Sequence, residues 1–222
     1  MKKSDFREWD LDKLDAAFGL RQVRSSPTLD AWLSMPYTVN ELERTILLRF
    51  QQSLLLGVDN WNEAELANKF ISPLMMLVNF DTEQFSYFLE RELRGIVGDY
   101  ELSGRVDGMI ASGFRNPHQP YFCLSEFKKQ RETTGDPAAQ ALAAMLVAQE
   151  LNEHRHPVYG SYVMGRFWFF MVLENQHYCI STDYSAAKAE LFDIFRILQG
   201  LKQIIIRTIS NKPSEGSQPS EG

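Results

Sequence analysis

Two short segments carry residue types able to hold a hard cation beside a phosphate ester: Arg105-Val106-Asp107-Gly108 and Ser125-Glu126-Phe127-Lys128. On a strand, period-two geometry puts Glu126 and Lys128 on one face. Residues paired across an antiparallel hairpin have a constant index sum, so a turn centred on Asn116-Pro117 pairs Asp107 with Glu126 and Arg105 with Lys128. Directly opposed Cβ atoms stand about 4.5–5.5 Å apart, close enough for two carboxylates to share one cation; without it they repel. Oxygen ligands suit Mg²⁺ or Mn²⁺, which polarises a phosphate and lowers the pKa of a bound water, while a lysine orients that water. The expected ligands are therefore Asp107 and Glu126, with Lys128 positioning the water. Glu-x-Lys alone says little: it arises about once by chance in a chain of ordinary composition, and exposed strand ion pairs contribute little. The neighbours strengthen it. Val106, Met109 and Ile110 flank Asp107, and Tyr121-Phe122-Cys123-Leu124 precedes Glu126. Both acids therefore belong on central strands, where a charge needs partners.

The elements that must position these residues follow from periodicity. Asp5 to Phe18 and Asn40 to Leu56 carry apolar residues at three and four spacing and predict helices. Asn60 or Asn62 can cap a helix with Leu66, Phe70, Leu74, Leu77 and Val78 on one face, which Pro73 kinks or divides. The period then falls to two, and Tyr87 to Val97, Tyr100 to Ser112 and Tyr121 to Lys128 predict a three-stranded meander. Asp136-Pro137 opens an alanine-rich helix to about Asn152. Strands are predicted at Val158 to Val163, Arg166 to Leu173 and His177 to Ile180, and a closing helix from Ser185 to about Ile209. Twofold repetition of Pro-Ser-Glu-Gly in residues 211–222 predicts a disordered tail. The fold class is α/β: a central mixed sheet flanked by helices over residues 58–210, with residues 1–57 as an N-terminal helical extension.

At these residues the sequence resembles the PD-(D/E)XK nuclease superfamily, over about residues 60–181. The resemblance implies a restriction-endonuclease-like core of helix, three-stranded meander, helix and further strand. It also implies a metal site of Asp107 with Glu126 and Lys128. Val106 departs from the proline of the family name. Many members add an acid from the preceding helix, which implies Glu65 as a third metal ligand, with Glu63 next in line and a solvated helix face as the alternative. Exonuclease-like branches place a glutamine near the metal, which maps onto Gln140. Their aromatic four residues later is Ala144 here, and an ordinary helix N-terminal polar residue explains Gln140 equally well.

Composition narrows the partners. Of 222 residues, 44% are hydrophobic and 23% charged, the balance of a globular protein. With 23 Lys and Arg against 29 Asp and Glu, the net charge of -6 excludes an indiscriminate polycation. Cys123 and Cys179 lie in apolar runs and predict core thiols in a reducing compartment. No apolar run reaches membrane-spanning length, and the charged N-terminus predicts no secretory signal, so a cytoplasmic location is expected. The aromatic run Phe167-Trp168-Phe169-Phe170 could stack bases, although strand packing explains it better. Lys188, Arg196, Lys202, Arg207 and Lys212 could meet phosphate or simply be solvated. The leading expectation is a Mg²⁺- or Mn²⁺-dependent nuclease acting on DNA or RNA, with no membrane partner and a homodimer as one allowed assembly. The competing expectations are a nuclease fold retained for binding nucleic acid or protein without catalysis, and a purely structural domain.

Overall fold

A computed structural model describes residues 1–131 and 135–210. The tail repeat, and Lys212 with it, lies outside the described residues. The first half contains β1 (Lys2–Asp5), a 3₁₀ turn (Phe6–Glu8), α1 (Leu11–Phe18), β2 (Arg21–Gln22), α2 (Pro27–Leu33), α3 (Glu41–Gly57), α4 (Glu63–Leu66), a π-helical turn (Ala67–Ile71) and α5 (Ser72–Val78). There follow β3 (Phe85–Val97), β4 (Tyr100–Ser112), β5 (His118–Lys128), α6 (Pro137–Leu151), β6 (Val158–Met164), β7 (Phe167–Glu174), β8 (His177–Ile180), β9 (Tyr184–Ser185) and α7 (Leu191–Ser210). The strands build one mixed sheet between two helical layers, an α/β architecture. One layer is α6 with α1, and the other is α2, α3, α5 and α7. No helix among the described residues is long and apolar enough to cross a membrane.

Local chemistry explains the boundaries. Asn40 and Asn62 each form a reciprocal capping box with a glutamate three residues on, fixing the starts of α3 and α4. Pro73 has no N–H to close a regular turn, and the helix widens before it, with Ser72 N–H donating to Ala67 O. The helix expected over Asp5–Phe18 begins only at Leu11, where Asp10 accepts from Lys13 N–H. Residues 2–5 instead pair in parallel with β4, and Arg21–Gln22 pair with β8 at the far side of the sheet. The first 57 residues, expected as a helical extension, therefore supply two strands to the sheet, one beside β4 and one beside β8. The closing helix starts later than expected, at Leu191, because Tyr184–Ser185 pair with β7 and Glu190 accepts from Ser185 N–H.

Phe6 docks this N-terminal segment on β4 at Gly104, where a Cβ would stand 2.5 Å from Phe6 Cδ2. Gly104→Ala is expected to lower stability by about 1–3 kcal/mol through this overlap. An unchanged urea midpoint would contradict that packing.

Candidate functional site

The central hairpin places the acids. β4 and β5 pair Ile110 with Cys123, Met109 with Leu124 and Gly108 with Ser125. One further step in this register sets Asp107 against Glu126, as the sequence predicts. The turn is not centred on Asn116-Pro117 with an unbroken ladder: from Ser112–His118 to Ile110–Cys123 the register shifts by three residues, and it is these bulges that bring Asp107 opposite Glu126. At Asp107 the regular ladder stops: its Oδ2 accepts the Phe127 N–H at 2.7 Å. β5 runs on beside β6, pairing Glu126 with Tyr162 and Lys128 with Met164. β4 instead takes β1 as its neighbour from Ser103 back to Tyr100. The predicted Arg105–Lys128 pair is therefore not formed; Arg105 approaches Glu90 and Glu92 at 3.7 and 3.6 Å.

An irregularity across β3 and β4 aims Asp107. Glu90, opposite it, has a left-handed φ of 53°, while Leu89↔Gly108 and Arg91↔Val106 pair normally on either side. Val106 and Met109 both pack into the α6 cluster, which strict alternation forbids. The strand thus changes phase at Asp107–Gly108, and the carboxylate turns along the sheet toward β5. On β5 alternation holds from Cys123 onward: Leu124 packs under α6, and Cys123 and Phe127 on the opposite side, so Glu126 lies on the α6 face. Its Oε1 accepts from Lys128 Nζ at 2.7 Å, and only 10% of the Glu126 side chain is exposed.

Burial sets the electrostatics. It pushes Asp107 up to about 6, against the pull of the Phe127 N–H and Lys128, and Glu90 and Glu63 add to the rise. Glu126 is pushed up to about 7, by burial and then by the Asp107 charge, partly offset by Lys128. Burial alone would lower Lys128, but its hydrogen bond to Glu126 and the surrounding acids reverse this and raise it. The ammonium therefore persists at neutral pH, and the two carboxylates retain proton affinity there.

The donor set fits a divalent cation in kind. Two hard oxygen donors on opposed strands, each held above the normal carboxylate range, are stabilised when a cation replaces their protons. Among the described residues, however, no group of three or more His, Cys, Asp or Glu is placed to hold a metal ion. The expected third ligand is otherwise engaged. Glu65 accepts from Asn62 N–H and pairs with Lys69 at 2.7 Å. Glu63 is the helix acid that faces the site, 3.7 Å from Lys128 Nζ. The capping box turns Glu65, the third residue of the helix, back onto its own N-terminus, so Glu63 rather than Glu65 is the nearer to Lys128. Glu65→Gln is expected to leave Mn²⁺ affinity unaltered, whereas Glu63→Gln weakens Mn²⁺ binding. Calorimetric titration of both variants checks this, and the reverse ranking would contradict it.

Gln140 is buried in the first turn of α6, its Nε2 2.8 Å from where a Gly135 Cβ would stand. It takes no part in the contacts joining Asp107, Glu126, Lys128 and Glu63. Arg196 and Lys202, candidates for phosphate contact, are structural: Arg196 donates to Leu33 O and Met35 O, and Lys202 to Val78 O. Cys123 and Cys179 are buried free thiols. Two residues near the acids had no signal in the sequence. Glu90 carries no motif, and Arg7, whose guanidinium feels the Glu126 charge while held by Asp5, lies where a helix was expected. The chain matches no protein-family model and none of the curated proteins compared with it.

Proposed function

We propose that the protein is a metal-dependent nuclease of the PD-(D/E)XK type, hydrolysing phosphodiester bonds of DNA, with RNA as a second class of target. The observation that carries this reading is the convergence of Asp107, Glu126 and Lys128 at the point where β4 and β5 part. The element order supports a restriction-endonuclease-like core: helix α4–α5, meander β3–β5, helix α6, then β6 parallel to β5. Asp107 and Glu126 would hold Mg²⁺ or Mn²⁺. Such an ion supplies a Lewis acid at the scissile phosphate.

The chain's own residues do the rest. The Phe127 N–H fixes the Asp107 carboxylate. Lys128, protonated at neutral pH, donates to a phosphate oxygen or to the attacking water and neutralises developing charge; it does not serve as a base. Glu63 holds the ammonium from the helix side.

The second reading, a nuclease fold retained for binding, draws on the lack of a third acidic ligand among the described residues. Cleavage of plasmid and single-stranded DNA separates the two. The enzyme reading expects cleavage in Mn²⁺, loss with EDTA and loss in Asp107→Ala. Cleavage unchanged in Asp107→Ala would remove this site from the chemistry.

A further inference from the structure

The aromatic run on β7 divides between the two faces of the sheet. Trp168 and Phe170 lie in the core beneath α2 and α7, whereas Phe169 is half-buried on the opposite face. There it stacks on Tyr162 of β6, with ring centroids 4.4 Å apart and planes within 8°. Tyr162 is itself half-buried, and in the ladder it pairs with Glu126 on one side and Phe169 on the other. A carboxylate, a phenol ring and a phenyl ring therefore form one row across three neighbouring strands, about 4.8 Å apart. Further along β6 the same face is sealed, with Met145 of α6 lying over Gly160. α6 begins only at Pro137, so its cover ends beside this row.

Parallel rings left half-open one strand from the reacting acids match what a nucleobase requires. Every base has a π-face, and stacking on an aromatic side chain contributes about 1–3 kcal/mol per base with little regard to sequence. A duplex keeps those faces paired and stacked internally, while an unpaired strand offers them. The charge agrees. A net charge of -6 disfavours holding a duplex by bulk charge. A strand held by its bases needs a cation near the scissile phosphate, where Lys128 stands beside Glu126.

We propose that Tyr162 and Phe169 form a base-stacking platform beside Asp107 and Glu126, and that the substrate is single-stranded DNA. This rests on the nuclease reading and narrows it. The test measures binding of a fluorescein-labelled single strand of about 15 nucleotides and of the matching duplex, with Ca²⁺ in place of Mg²⁺. A strand bearing one 2-aminopurine, whose fluorescence is quenched on stacking, is titrated in parallel. The wild type is expected to prefer the single strand by about tenfold or more and to quench the probe. Tyr162→Phe keeps both properties. Tyr162→Leu and Phe169→Leu weaken single-strand binding by about 5- to 100-fold, leave duplex binding unchanged and abolish quenching. Should the leucine variants misfold, the strand preference and the quenching of the wild type decide. Duplex preference, no quenching, or equal losses on both substrates overturns the proposal. The nuclease reading survives that outcome if Mn²⁺-dependent cleavage is still lost in Asp107→Ala. Absence of any nucleic-acid binding or cleavage overturns both.

Discussion

Lys128→Ala is expected to lower the cleavage rate by about 10²–10⁴-fold, the usual effect of removing a positioned proton donor or charge-stabilising group. The substitution acts in two ways that pH can separate. The ammonium depresses the pKa values of Asp107 and Glu126, so without it both carboxylates hold their protons to higher pH. The acidic limb of the rate profile, which requires deprotonated ligands, then moves to higher pH. If Lys128 only tuned its neighbours, the variant would recover wild-type rates once that limb was passed. If it also contacts the phosphate or the water, a large deficit remains at pH 9. The structure favours the second outcome, because the raised Lys128 stays an ammonium and ends a central strand beside both acids. Full recovery at high pH would reduce Lys128 to an electrostatic neighbour.

Glu126→Gln is expected to abolish Mn²⁺ binding and cleavage while raising thermal stability at pH 8. Glu126 titrates at about 7 in the fold against 4.5 for an ordinary glutamate, so between these values the folded chain binds more protons than the unfolded chain. Stability therefore falls as pH rises through that window and is lowest above it. A neutral amide removes this loss, so the variant is expected to melt at a higher temperature than the wild type at pH 8. Below about pH 4.5 both states of the wild type are protonated and the gain vanishes. Asp107, pushed up to about 6, contributes a loss of the same sign. A site whose removal stabilises the protein is one maintained at the expense of folding. Equal melting temperatures for wild type and variant at pH 8 would mean that Glu126 is not strained by its burial.

Much of this arrangement is legible in the sequence because it rests on local rules. Strand alternation suffices to put Glu126 and Lys128 on one face, and the capping pairs Asn40–Glu43 and Asn62–Glu65 mark helix starts, whereas the opposition of Asp107 and Glu126 depends on bulges near Ala111 that shift the register. What escapes is set by tertiary context. Whether Lys2–Asp5 forms a helix or a parallel strand depends on an open edge of β4 a hundred residues away. The phase change at Asp107 requires a left-handed Glu90 on the neighbouring strand, to which no propensity points. The engagement of Glu65 at its own helix start is legible too, since a glutamate three residues after an asparagine cap is committed to that cap. The division of Phe167–Phe170 between faces follows from period two, but only the β6 register reveals that Phe169 meets Tyr162 and that Tyr162 meets Glu126.

The central claim, that Asp107 and Glu126 jointly hold a divalent cation, is tested most directly by anomalous diffraction from crystals soaked in Mn²⁺ at pH 8, where both carboxylates are deprotonated. An anomalous peak bonded to oxygens of Asp107 and Glu126 is expected, with Lys128 Nζ displaced from its 2.7 Å contact, and no such peak in Glu126→Gln crystals. An ion bound elsewhere, or none at millimolar Mn²⁺ with the Lys128–Glu126 pair intact, would contradict it.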